Sequence, residues 1–387
     1  MDRDVPFKAL IAGAGPAAIE AVLTLRELAP DVEIDLLAPD ADFVYRPLSV
    51  VEPFAGTGAG RHPLSRLADL GVTVRQGTLQ RVDRAQRIAV TGSGEELSYD
   101  ALLVATGAQG RKSIERALTF GGPDEAEAMH GLIHDVEGGH LHSIVFLAPP
   151  GASWTLPIYE LALQTAERAQ EMSLDGVTVT VVSSERRPLD VFGEAAPELV
   201  ETLFAEYGIR FVCDGEVPPA DRLVTLPLPA GRPVEGLPCA AGGFLPVDHH
   251  CRVAGVDGAW AAGDGTDSTI KQGGLATQQG EAAARSIAVA SGLDVEETPY
   301  EPVLRAVLIA GRRTFYLRRR LDGRDLGQAS RRALWWPPTK IAGRRLAPFL
   351  DRIDAEQHAA RFEPDVERPS RPVRRLVITP DATERLR

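Results

Sequence analysis

The chain has 387 residues, with 54 acidic and 42 basic side chains and a formal net charge of −12. Apolar residues make up 44%, and only three residues are cysteines. This is the composition of a folded protein of two or three domains: it has too few cysteines for a disulfide scaffold, is too acidic for general nucleic-acid binding, and has no apolar run of roughly 18 residues to span a membrane.

Charge is unevenly spread. Residues 301–350 contain twelve Arg or Lys against three Asp or Glu, while the first 300 residues carry 22 positive and 43 negative side chains. The chain therefore reads as an acidic body with a basic belt near its C-terminal end. Its cysteine content suits a reducing, cytoplasmic setting. The first apolar run, Ala9 to Ala12, leads straight into a glycine turn, which is not the pattern of a signal peptide.

Phe7 to Ala12 is a short strand pattern, followed by Gly13-Ala14-Gly15-Pro16-Ala17-Ala18 and an apolar-periodic helix to Ala29, stopped by Pro30. Val32 to Leu37 reads as the next strand, and strand–helix–strand implies a parallel sheet. A long loop from Pro39 to about Pro63 carries Tyr45, Arg46 and Pro47. Residues 72–104 read as a β-meander ending in a buried strand, Ala101 to Val104. A second unit starts at Ser143, with strand 143–148, helix 157–172, strand 177–182, helix 194–207 and strand 209–213. Residues 214–238 are Pro-rich and are expected to be irregular. Strands resume after Phe244, a long helix is predicted over 273–290, and the chain after 299 is expected to form a separate segment.

The expected fold class is therefore α/β, with two dinucleotide-binding units, the first of them discontinuous, plus a C-terminal extension. The expected boundaries are 1–112 with 236–298, then 113–235, then 299–387.

Gly13-x-Gly15-x-x-Ala18 lies between a predicted strand and a predicted helix, as a dinucleotide site requires. Gly13 permits the tight turn, Gly15 lets the backbone approach a pyrophosphate, and the small Ala18 permits close helix–sheet packing. Pro16 suits the first helical turn, whose free N–H groups favour phosphate. The alternative is a plain glycine turn. Ala38 stands where an acidic ribose ligand is expected, and Asp40, just past the strand, is its candidate substitute.

Two later segments narrow the choice. Ala101-Leu102-Leu103-Val104 runs into Ala105-Thr106-Gly107, and Ala259-Trp260-Ala261-Ala262 runs into Gly263-Asp264. Over roughly residues 7–350 the sequence here resembles the FAD-dependent pyridine-nucleotide oxidoreductase superfamily. The resemblance implies FAD, with Ala105, Thr106 and Gly107 lining the cofactor and Asp264 on its ribityl chain. The helix after Asp264 would aim its positive end at the flavin, with Lys271 either adding charge or simply solvated. The same resemblance places Tyr45, Arg46 and Pro47 near the isoalloxazine.

The second unit lacks a glycine motif. Its strand 143–148 is followed by Pro149-Pro150-Gly151, and a proline has no N–H to offer a phosphate. NAD(P)H use is thus left open, and Glu185 is read as a surface residue in a turn with Arg186 rather than a ribose ligand. The Pro149-Pro150…Pro157-x-Tyr159-Glu160 pattern resembles the sulfide:quinone oxidoreductase and flavocytochrome c sulfide dehydrogenase branch. That branch implies a redox cysteine in this loop, where Trp154 and Thr155 stand, and a partner late in the chain, where no cysteine follows Cys251. Cys213, at a strand end, is expected to be a small core residue.

The expected function is FAD-dependent electron transfer from an unidentified small-molecule donor to an acceptor of quinone type. The alternatives are a type II NADH dehydrogenase-like enzyme and a non-catalytic flavoprotein or binding scaffold. Trp335-Trp336-Pro337-Pro338-x-Lys340 resembles a segment of sulfide:quinone-like flavoproteins. Residues 312–345 are therefore read as a peripheral membrane contact at the inner face, or as a basic face packed on this acidic body or on a second copy in a homodimer. His130, His134, His140 and His142 are read as part of a polar linker, and Asp248-His249-His250-Cys251 as strand residues pointing to opposite faces. No metal site is expected at either.

Overall fold

The computed structural model describes residues 6–54, 56, 58 and 60–361. Lys8–Ala12, Glu33–Ala38, Val72–Gln76, Ala101–Val104 and Ala259–Ala261 form a five-stranded parallel sheet. Across the sheet, Lys8–Ala12 is central, flanked by 33–38 then 72–76 on one side and by 101–104 then 259–261 on the other. Such a sheet is covered on both faces, so its strands are continuous apolar runs rather than alternating ones. Ala9 to Ala12 and Ala101 to Val104 are all buried.

Helix α1 (Pro16–Leu28) crosses between the first two strands. Five more helices of the described chain are α2 (Ala126–Glu137), α3 (Leu156–Glu171), α4 (Ala195–Tyr207), α5 (Gly273–Ala290) and α6 (Leu346–Arg361). α1 packs on α5 through small residues: a Cβ on Gly280 would lie 2.2 Å from the Ala17 carbonyl oxygen.

The second sheet is also parallel, ordered 118–119, 222–225, 143–148, 178–183, 210–213. One of its inner strands, Arg222–Thr225, lies in the Pro-rich stretch expected to be irregular. Four residues flanked by prolines carry no local strand signal. Pairing with Ile144–Leu147 on one side and Leu118–Thr119 on the other supplies the backbone partners instead. The region read as a polar linker is α2, which buries Met129, Leu132, Ile133 and Val136, a helical period of apolar residues overshadowed by the histidines between them. His130 and His134 do stack edge-on at 4.6 Å, but His130 Nδ1 is engaged by the Pro53 carbonyl at 2.9 Å.

Residues after 299 are not a separate piece as far as Leu350, because they belong to the same compact unit as the residues before them; from Asp351 the described chain belongs to a second unit. Val303–Ala310 and Arg313–Arg320 form a hairpin. Its alternate residues Leu304, Ala306, Leu308, Ala310, Phe315 and Leu317 are buried in the core built around α3 and the second sheet. Much of the basic belt is spent on the acidic body: Arg312 pairs with Glu171 at 2.6 Å, Arg313 with Glu206 at 2.9 Å, Arg344 with Glu281 at 3.2 Å and Arg345 with Glu27 at 2.7 Å.

Asp248 to Cys251 forms a turn rather than a strand. Asp248 Oδ1 accepts the N–H groups of His250 and Arg252, and Cys251 is left-handed at φ 62°. Cys213 is exposed at the end of an edge strand, not in the core. Among the described residues, no helix is long and apolar enough to cross a membrane.

Candidate functional site

The strand Lys8–Ala12 ends in Gly13, whose φ of +116° favours glycine. A Cβ there would lie 2.1 Å from the Ala105 carbonyl oxygen. The missing side chain thus lets the end of strand Ala101–Val104 close against the turn. Gly15 is the N-cap of α1, with Pro16 in the first turn and no side-chain cap. A Cβ on Gly15 would meet nothing within 4 Å. A helix start with uncapped N–H groups is the kind of helix end that suits an anion. Ala18 is fully buried behind them.

The other two motifs meet the same turn. Gly107 takes φ +68°, and its carbonyl oxygen would lie 3.2 Å from a Cβ on Gly265. Thr106, beside it, is half-buried. A Cβ on Gly263 would be 3.1 Å from the Ala17 Cβ, and the Gly263 N–H donates to Gln279 Oε1 at 2.7 Å. Three segments far apart in the chain are thereby packed side by side.

Asp264 follows, lining a cavity of about 800 Å³ together with Arg46, Lys271, Gln272 and Gly273. Its carboxylate makes no hydrogen bond to the described residues. Burial pushes its pKa up, with Lys271 and Arg46 pulling it back. Lys271 is not simply solvated: its Nζ donates to the Thr266 carbonyl at 2.5 Å and sits 3.9 Å over the Phe244 ring. Burial pushes the Lys271 pKa down, and Asp264 and Asp267 oppose that. Arg46 is exposed at the mouth of a 3₁₀ segment, Arg46–Phe54. Asp40 is exposed past the end of strand Glu33–Ala38 and does not line the cavity. Asp35, on the strand itself, is taken by Lys8 at 3.1 Å and Arg75 at 3.0 Å.

The cavity also holds a pair to which the sequence attached no role. Lys340 Nζ donates to Glu160 Oε1 and Oε2 at 2.7 and 2.8 Å and to the Pro47 carbonyl at 3.2 Å. Glu160 also accepts the Ile309 N–H at 2.8 Å. Burial pushes the Glu160 carboxyl up, and Lys340 pulls it back. Next to Lys340, the Ile341 N–H donates to the Tyr45 hydroxyl at 2.8 Å. The available signal was a lone lysine in an aromatic and proline-rich run, facing a glutamate that opens an apolar helix.

Glu185 is not a surface residue paired with Arg186. It accepts from Tyr159 Oη at 2.6 Å, Ser183 Oγ at 3.0 Å and Thr155 Oγ1 at 3.2 Å, and burial pushes its pKa up. Beside Thr155, Trp154 packs edge-on against Phe192 with ring centroids 5.9 Å apart. None of the three cysteines lines the cavity.

Residues 7–144 match the pyridine nucleotide-disulphide oxidoreductase family. The chain is similar to a sulfide-quinone reductase of Aquifex aeolicus (strain VF5), 27% identical over 227 residues that cover 53% of this chain and 50% of that protein. The match therefore spans only half of the relative's length. The fold resembles the crystal structure of the sulfide:quinone oxidoreductase of Aquifex aeolicus, with TM-score 0.77, 18% identity and 84% and 87% of the two chains covered. It also resembles a ferredoxin reductase of Rhodopseudomonas palustris, with TM-score 0.60, 19% identity and 82% and 83% coverage. The match to that family is thus confined to residues 7–144, and the α/β fold as a whole is the one these two solved structures share.

Proposed function

We propose that the protein is an FAD-dependent oxidoreductase that passes electrons from a small-molecule donor other than NAD(P)H to an acceptor of quinone type. The observation that carries this reading is the single cavity lined by Asp264, the start of α5 and the Lys340–Glu160 pair.

The residues present fit FAD. The uncapped α1 N-terminus and the open space over Gly15 suit a pyrophosphate, and Asp264 has a carboxylate free to accept from a hydroxyl. Gly13, Pro16, Ala18, Ala105, Thr106, Gly107 and Gly263 shape the walls between these two points. The start of α5 adds a partial positive charge, with Lys271 beside it. When bound there, FAD supplies reversible two-electron chemistry.

Quinone reduction also consumes two protons. Lys340 Nζ carries protons at the cavity wall, and Glu160 holds that ammonium in place and shares its hydrogen bonds. The similarity to a sulfide-quinone reductase supports the acceptor class. Exclusion of NAD(P)H rests on the second unit, where Pro149 and Pro150 replace a phosphate turn and Glu185 is engaged by three protein donors. Trp336, 87% exposed, and Leu326, 68% exposed, neighbour Arg324, Arg331 and Arg332 in the sequence, a composition that suits peripheral contact with an anionic membrane. We read the protein as cytoplasmic, with that face toward the lipid.

The test is anaerobic spectroscopy of the purified protein. The expected result is a yellow protein that keeps its flavin colour with NADH and NADPH, and whose flavin, once reduced by dithionite, is reoxidised by a short-chain quinone. A colourless protein that takes up no FAD would remove the cofactor reading. Bleaching by either nucleotide within seconds would remove the donor reading.

A further inference from the structure

The part of the cavity nearest the second sheet has no role in the scheme above. It is lined by Phe120, Trp154, Leu156, Pro157, Leu226 and Pro227, with no thiol among them. Trp154 stands out in this wall. Its ring is braced by Phe192, and the next residue is tied down, because Thr155 donates to Glu185, which also holds Tyr159 from the first turn of α3. The half-buried Trp154 indole N–H makes no hydrogen bond to the described residues and is open to solvent. An accessible indole N–H on a cavity wall is available to an acceptor on a ligand. A rigid aromatic ring with an unused donor, in an apolar wall, is the recognition chemistry of a flat ligand that carries an oxygen acceptor.

We propose that Trp154 is a binding residue for a planar aromatic or quinoid small molecule, stacked on the indole and accepting a hydrogen bond from its N–H. Glu185 is the positioning residue that holds the loop carrying Trp154, through Thr155 and Tyr159. The proposal deepens the reading above by giving the chemical class of a small-molecule substrate, and it rests on that reading only for the flavin's presence in the same cavity. It differs from a thiol relay, since no cysteine reaches this wall.

The probe is 2-naphthol, flat and redox-inert toward an oxidised flavin, compared with its saturated counterpart 2-decalol, each titrated calorimetrically into the holoprotein. The expected result is that 2-naphthol binds more tightly than 2-decalol. Trp154→Leu should weaken 2-naphthol about fivefold or more while leaving 2-decalol nearly unchanged, as loss of a stacking partner predicts. Trp154→Phe keeps a ring but not the N–H, and should fall between wild type and the leucine variant. Equal binding of the two alcohols by the wild type, or of 2-naphthol by wild type and Trp154→Leu, would overturn the proposal. If the leucine variant fails to fold, unchanged 2-naphthol binding by Trp154→Phe overturns it instead, and weakened binding supports it. Visible flavin absorbance is recorded on the same samples. Preferential 2-naphthol binding by a protein without flavin would unseat the cofactor reading and leave this site standing.

Discussion

Lys340 places its Nζ 2.7 and 2.8 Å from the two carboxylate oxygens of Glu160, a residue 180 positions earlier in the chain. Both side chains are buried, at 7% and 1% exposure. A buried ion pair is weak evidence of net stabilisation, but breaking one strands a charge. Lys340→Met should therefore cost about 3–5 kcal/mol in chemical denaturation of the holoprotein. Combining it with Glu160→Gln should recover much of that loss while leaving quinone reduction impaired. Equal loss in the single and double variants would show that the pair is not a coupled unit.

Gly13 and Gly15 separate folding from the proposed cofactor binding. Gly13→Ala combines a left-handed backbone with a clash at 2.1 Å and should destabilise by about 2 kcal/mol or more. Gly15 has φ −80°, which alanine adopts readily, and space for its methyl group. Gly15→Ala should keep the melting temperature of the apoprotein and lose FAD, read from the visible absorbance after gel filtration. A Gly15→Ala protein with full flavin content would move the pyrophosphate elsewhere.

Glu20 supplies a pH dependence. It is fully buried on α1 and accepts the Leu346 and Arg345 N–H groups at 2.8 Å each. Burial pushes its pKa up to about 7; the two N–H groups pull it down, Glu281 pushes it up and the Arg345 side chain pulls it down. The folded state therefore holds this proton more tightly than the unfolded chain, whose value is near 4.5. The stability from this group is full below pH 4.5 and falls as pH rises to about 7, by on the order of 3 kcal/mol. Glu20→Gln should flatten that part of the stability–pH curve, measured by urea denaturation between pH 5 and 8. An unchanged slope would assign it to other groups.

The exposed Trp336 gives a membrane test. Sedimentation with phosphatidylserine vesicles at low salt should carry the wild-type protein down. Trp336→Ala and the Arg331→Ala/Arg332→Ala pair should each weaken this by about fivefold or more, since each basic residue near an anionic surface contributes about 1 kcal/mol. Binding that ignores salt and both variants would place any membrane contact on another face.

Fixed spacing within one local unit was legible from the residues alone. The turn at Gly13 and Gly15 was legible because backbone freedom and helix-end N–H groups need those residue types at that spacing. The ends at Ala105-Thr106-Gly107 and Gly263-Asp264 were legible as strand-to-turn patterns. Long apolar runs announced the buried parallel strands, and the loop at Trp154-Thr155 and the stretch after Cys251 could be read directly as free of cysteine.

Long-range pairing was not legible. Strand Arg222–Thr225 is four residues between prolines and exists because two neighbours supply its hydrogen bonds. Lys340 and Glu160 each look like an ordinary charged residue until the hairpin 303–320 buries itself on α3 and brings them together. Glu185 looks like a turn residue until Tyr159 and Thr155 close over it. The acidic body and basic belt that composition separates are joined by Arg312, Arg313, Arg344 and Arg345, whose partners lie far away in sequence. Residue type and spacing determined the turns at Gly13–Gly15, Gly107 and Gly263 because those depend on local backbone geometry. Tertiary structure decided which charges are paired, buried or free, because that depends on which distant segments exclude water together.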